Sequence, residues 1–228
     1  MKLQYTAPNI SITVDCVIFG FDAKMLQVLL IKRGSDPEAG KWALPGGFIE
    51  KDETAERAAE RVLEQLTGVS DIYMEQLRTF SEVDRHPIER VVTVSFYALV
   101  KPENYRLTPA WHASEAYWWD IDKLPVLGFD HGKIIQVALH TIKRDVRLKP
   151  IGFELLPIKF TLKDLQNLYE AILEEKLDRR NFRRKIKITN ILTELNEVKK
   201  GAHKDAVLYK FDKKSYDEIS KEGFNILF

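Results

Sequence analysis

The chain has 228 residues, 45% hydrophobic and 30% charged, with one cysteine and a formal net charge of +1. Those proportions belong to ordinary globular proteins and exclude collagen-like and disordered classes, and the length accommodates one large domain or two small ones. No apolar run approaches the roughly 18–20 residues of a bilayer span, and the polar N-terminus does not resemble a secretory leader. Cys16 alone cannot form an internal disulfide, so a reducing cytoplasm is the expected compartment. The charge is uneven: residues 1–150 carry −2 and residues 151–228 carry +3. Seven basic residues and one acid fall between Lys176 and Lys187. Such a local cluster on a near-neutral chain points to a specific anionic partner.

Ile10, Ile12, Val14, Cys16 and Ile18 alternate as in a strand, a turn is expected around Gly20-Phe21-Asp22, and Gln27–Lys32 reads as a second strand. After a loop over 34–41 comes Trp42-Ala43-Leu44-Pro45-Gly46-Gly47-Phe48-Ile49-Glu50. A helix follows, with Asp52 as its expected cap, Ala55, Ala58, Ala59, Val62, Leu63 and Leu66 at helical spacing, and Gly68 closing it. Further strands are expected near Tyr73–Thr79, Val91–Val100 and Ala116–Asp120, and a second helix at about His131–Leu148 with Ile134, Ile135, Ala138, Leu139 and Ile142 on one face. The pattern is a mixed sandwich of strands with helices in flanking layers.

Lys149-Pro150 reads as a boundary, dividing the chain into domains 1–149 and 150–228. Beyond it, Thr161-Leu162-Lys163-Asp164 fits a capping box, and Leu162, Leu165, Leu168, Tyr169, Ile172 and Leu173 form an apolar stripe. A short helix capped by Asp178 runs to about Ile188, with Phe182 and Ile186 inward. Ile191–Val198 and Ala206–Asp212 then flank a hairpin tip bearing Lys199, Lys200, His203 and Lys204. Helix, turn, basic helix and basic hairpin is the layout of a winged helix-turn-helix.

Arg180, Arg183, Arg184 and Lys187 recur at three- and four-residue steps outside the Phe182/Ile186 face, accompanied by Arg179, Asn181 and Lys185. Outward arginines let a helix lie in the major groove, where guanidinium groups pair with guanine and grip phosphates. A solvated charged face is the bland alternative. The amphipathic helix before this one and the basic hairpin tip, with Lys200, His203 and Lys204, favour duplex DNA.

Gly47, Glu53, Arg61, Leu63, Gly68 and Val69 match, at every interval, the pattern G-x5-E-x7-R-E-U-x-E-E-x-G-U, with U aliphatic. Over about its first 150 residues the chain thus resembles the Nudix proteins. The resemblance implies hydrolysis of nucleoside diphosphate compounds with Mg²⁺ held by three glutamates, which positions i, i+3 and i+4 bring to one helical face. In this chain those positions are Val62, Gln65 and Leu66. Two cannot ligate and the third is a neutral amide, so neither a metal, a cofactor nor a catalytic residue is expected. Glu53, Glu56, Glu60 and Glu64 form a stripe that is either a rebuilt metal site or, more in keeping with helix surfaces, a solvated face with pairs such as Glu53–Arg57.

The cleft then persists for binding. Gly46 and Gly47 allow close backbone approach, Trp42 and Phe48 offer aromatic faces, and Lys32 and Arg33 can meet phosphate. Asp84, Arg85, Glu89 and Arg90 can bond sugar hydroxyls or charge, and Asp130 fits either a ligand contact or a helix cap.

Both halves together resemble the Nudix-related transcriptional regulators of the NrtR/AraR type. The residues carrying this are Leu44–Phe48, Glu89-Arg90-Val91-Val92, Pro125–His131, Phe160–Gln166, Asn181–Ile186 and Leu208-Tyr209-Lys210-Phe211. The resemblance implies an α+β chain, a Nudix sandwich followed by a winged helix-turn-helix. It implies a homodimer on a palindromic operator, with ADP-ribose or L-arabinose as effector and no membrane partner. An active Mg²⁺-dependent hydrolase of ADP-ribose-type compounds is the rival reading.

Overall fold

A computed structural model describes residues 9–22, 25–148, 151–200 and 205–222. The chain gathers into two compact units. The first comprises the chain up to Ile18 together with Val28–Ala98 and Tyr105–Gln136; the second comprises Phe19–Gln27, Leu99–Asn104 and the chain from Val137 onward.

A seven-stranded sheet runs β3-β2-β1-β6-β5, with β4 added to β1 and β7 to β2. Its strands are β1 (Ser11–Phe21), β2 (Leu26–Arg33), β3 (Trp42–Ala43), β4 (Gly46–Phe48), β5 (Glu75–Phe80), β6 (Val91–Val100) and β7 (Ala113–Asp120). Alternation in β1 predicts one wet face, but every residue from Val14 to Phe21 is buried, as expected of a central strand covered on both sides. The strand also continues through Gly20 and Phe21, where the sequence predicts a turn, and Asp22 beyond them accepts a bond from the Met25 amide.

Helix α1 (Ala55–Thr67) buries the predicted stripe of Ala58, Ala59, Val62, Leu63 and Leu66. Its cap is Thr54, which accepts from the Arg57 amide, and not Asp52, which is exposed. The helical backbone begins only at Ala55, so Asp52 is two residues too early to reach the first free amides. Gly68 closes α1 in the left-handed region at φ 77°, where its amide bonds the Glu64 carbonyl. Helix α2 spans His131–Leu148 as the spacing predicts.

Within the second unit, α3 (Leu162–Leu173) and α4 (Arg179–Ile188) precede a hairpin of β9 (Leu192–Lys199) and β10 (Ala206–Phe211). A short strand, β8 (Phe160–Thr161), joins the other edge of β10, and α5 (Lys213–Glu222) follows the hairpin. The α3 stripe is buried in full, and the Thr161–Asp164 capping box is reciprocal. Helix α3 packs on β8, β10 and α4, and burial of each large apolar side chain there contributes about 1.5–3 kcal/mol. Among the described residues no helix is long and apolar enough to cross a membrane.

Candidate functional site

The first unit contains a cleft of about 460 Å³, floored by β1 and β4 and walled by α1, the loop after β5, and Trp111 and His112. The strand register decides its floor: Asp15 of β1 faces Gly46 of β4, and Val14 faces Gly47.

Under the cleft lies a buried ionic network. Arg85 donates to Asp15 at 3.2 Å and to both carboxylate oxygens of Asp130, at 3.2 and 2.8 Å. All three side chains are less than a tenth exposed. His131 accepts the Leu44 amide through Nδ1 at 2.8 Å, while its Nε2 faces Asp15 Oδ1 at 3.4 Å. Burial depresses the His131 pKa to about 3, so its ring is neutral and Nε2 carries the proton. Burial lifts the Asp15 carboxyl to about 6, against the pull of Arg85.

Above this layer the walls change character. The Arg33 guanidinium sits 5.0 Å over the Phe129 ring, and the His86 ring stacks on the same ring at 5.4 Å. Phe48 and Trp111 are more than half exposed although both line the cavity. Trp111 holds a positive φ of 57°, an unusual setting for a bulky residue and one that recurs at functional positions.

The metal-binding positions of α1 do not fit a cation. Val62 and Leu66 are 0% and 1% exposed, and the Gln65 carbonyl oxygen accepts from Arg61 at 3.2 Å. Arg61 also bonds Glu53 at 2.9 Å and the Phe48 carbonyl at 3.0 Å. Its hydrogen bonds hold the Glu53 carboxyl down at about 2. The expected Glu53–Arg57 pair is replaced: Arg57 reaches Glu60 instead, because Glu53 turns toward Arg61 and the Glu50 amide. Glu56, Glu60 and Glu64 are exposed, and among the described residues no three His, Cys, Asp or Glu side chains gather as a metal site.

Of the residues selected from sequence, Arg33, Gly46, Gly47, Phe48, Arg85 and Glu89 line this cleft. Asp130 stands behind it, its carboxylate turned to Arg85 and not to the first amides of α2. The other four sit elsewhere. Lys32 pairs with Glu115 at 2.8 Å, and Trp42 packs edge-on against Trp119 at 5.2 Å in a separate aromatic hollow. Asp84 is exposed on the loop after β5, whose backbone Arg90 ties down through the Ser81 and Glu82 carbonyls. Sequence reasoning missed Asp15, His131, Trp111 and Phe129.

In the second unit Asp178 caps α4 through the Asn181 amide at 2.8 Å, and Phe182 and Ile186 are buried. The α3–α4 turn is locked because Gln166 donates to the Leu177 carbonyl while Glu170 accepts the Leu177 amide, both at 3.0 Å. Arg179, Arg180, Asn181, Arg184 and Lys187 are exposed, whereas Arg183 and Lys185 are half-buried. Lys200 is exposed at the end of β9; His203 and Lys204 lie outside the described residues.

Comparison with known proteins adds to this geometry. The NUDIX domain profile matches residues 10–138, and the NrtR DNA-binding winged helix domain matches residues 152–211. An ADPR responsive transcriptional repressor NtrR of Acinetobacter baylyi is 34% identical over 220 residues, covering 95% of this chain and 87% of that protein. The chain belongs to the Nudix family, in its NrtR branch. The NrtR architecture extends to solved structures. Shewanella oneidensis NrtR complexed with a 27mer DNA superposes with TM-score 0.76 at 28% identity, covering 90% of this chain and 95% of that one. The NUDIX domain of the same NrtR, complexed with ADP ribose, gives TM-score 0.55 at 34% identity over 60% of this chain and 90% of that one.

Proposed function

We propose that this protein is a transcriptional repressor whose hold on DNA is released by ADP-ribose entering the cleft. One observation carries the reading: a cavity joins Arg33 and Arg61 to the open rings of Phe48 and Trp111, and α1 beside it has aliphatic Val62 and Leu66 where a hydrolase needs carboxylates. A diphosphate seeks guanidinium groups, adenine seeks an aromatic face, and ribose hydroxyls seek carboxylates such as Glu50 and Glu89. With no carboxylate at positions 62, 65 and 66, α1 lacks the usual means of holding a divalent ion that polarises phosphorus and activates water, and in this reading the bound molecule persists as a signal. L-Arabinose lacks the diphosphate that the arginines suit. The Acinetobacter repressor named for ADPR and the ADP ribose complex of the Shewanella domain support the same choice.

In this reading residues 1–149 sense the effector and residues 150–228 hold duplex DNA through α4 and the hairpin tip, with two copies of the chain meeting two half-sites in the cytoplasm. The effector acts only through its different affinity for the DNA-holding and DNA-releasing arrangements. A gel shift on a duplex selected from a random-sequence pool tests it, together with chromatography of ADP-ribose incubated with protein and Mg²⁺. Release by micromolar ADP-ribose, no release by L-arabinose and no turnover are expected. Enzyme-like turnover, or release by the pentose alone, overturns the reading.

A further inference from the structure

The basic residues of α4 are not equivalent. Taking 100° per residue, Arg179, Arg183 and Lys187 run along the flank of the helix beside its buried Phe182/Ile186 face. That flank forms one side of a concave groove whose other side is the start of α3 and strand β10. Five cations line it, including Lys163 of α3, against a single carboxylate, Asp205.

Arg183 is the most enclosed of them. Its Nε is buried and donates to nothing among the described residues, and burial together with Arg179 weakens its hold on its proton. A buried donor without an acceptor is costly, and a half-buried guanidinium beside like charge is more so. Both penalties disappear when an anion enters the groove. Arg183 is less exposed than Arg179, Arg184 and Lys187 on the same groove, and a guanidinium pairs well with a phosphate, the commonest polar partner that duplex DNA offers.

We infer that the α4–β10 groove is a seat for one backbone phosphate of duplex DNA, gripped by Arg183 and Arg179 with Lys163, and that Arg183 sets position on the duplex and does not read sequence. The inference rests on the DNA-binding reading and divides the labour within it. A phosphate grip contributes alike to every sequence and releases about one counterion.

The test uses the full-length protein, fluorescence anisotropy on a duplex selected from a random-sequence pool and on its scrambled counterpart, and a series of salt concentrations. Arg183→Gln is expected to weaken both duplexes by about 10-fold, flatten the slope of log affinity against log salt by about 1, and leave their affinity ratio within about twofold. Arg183→Lys, which keeps the charge, retains most of the slope and guards against a folding artefact. Lys213→Gln on α5 removes an exposed charge outside the groove and leaves the slope unchanged. The assignment is overturned if Arg183→Gln erodes the preference for the selected duplex at constant slope, or if Lys213→Gln flattens the slope equally. Saturable binding of inorganic phosphate lost in Arg183→Gln, without any change in DNA affinity, overturns the duplex as the source of the phosphate. A wild-type protein that binds neither duplex overturns the DNA-binding reading itself.

Discussion

Gly46 and Asp15 share a register position so close that a Cβ at residue 46 falls 2.3 Å from Asp15 Oδ1 and 2.8 Å from the Val14 carbonyl oxygen. The second of these atoms is backbone and cannot swing aside. Gly46→Ala is therefore expected to push β4 away from β1, cost about 2 kcal/mol, and abolish effector binding. Urea denaturation and calorimetric titration with ADP-ribose check both halves.

Arg85 is clamped between two buried carboxylates. Arg85→Ala strands Asp15 and Asp130 in the interior, and breaking a buried pair in this way costs about 3–5 kcal/mol. The loop after β5, otherwise largely exposed, loses its inward anchor at the same time. Denaturant midpoints measure the loss, and hydrogen exchange at residues 81–90 is expected to rise before the rest of the chain is affected.

The His131 ring is neutral in the fold, with a pKa near 3 against an ordinary value of 6.5. As pH falls below 6.5 the unfolded chain takes up a proton that the folded chain refuses, so this residue's contribution is complete above 6.5 and drains away toward 3. Asp15 works in the opposite direction: with its pKa at about 6, the folded state holds a proton between pH 3.8 and 6 that the unfolded state has lost, and stability from this group falls as pH rises through that window. The two slopes oppose each other between about pH 4 and 6. His131→Gln, which leaves an acceptor for Leu44, removes one of them. The stability gap between wild type and variant is expected to shrink as pH is lowered from 7.5 to 5, as urea midpoints at fixed pH will register.

Trp111 is 57% exposed, so trimming it leaves the core intact. Stacking of a base on an aromatic side chain contributes about 1–3 kcal/mol. Trp111→Ala is expected to weaken ADP-ribose binding by about 10-fold while leaving the affinity for ribose 5-phosphate, which has no base, unchanged. Paired titrations of both ligands decide it.

The elements were legible where periodicity and capping residues agreed. The α1 stripe, the Gly68 stop, the Thr161 box and the two inward residues of α4 all follow from local rules. The site was legible only in part. Asp15 sits inside an apolar strand, and nothing local says that its partner is an arginine 70 residues away. The signal present was a lone acid with apolar neighbours, Val14 and Cys16, on either side. Lys32 and Trp42 carry the right chemistry, but their strands turn them toward Glu115 and Trp119. Side-chain direction there is set by register across the sheet, which spacing along one strand does not determine.

Val62 and Leu66 have a consequence for substitution on α1. A glutamate at either place would have to displace packing that is closed to solvent and leave a carboxylate buried without a cation, so each such substitution costs stability on its own. Any change of chemistry on this face of α1 must first be matched by a change in what packs against it, because the same two side chains that would have to become polar serve as the keel of the fold.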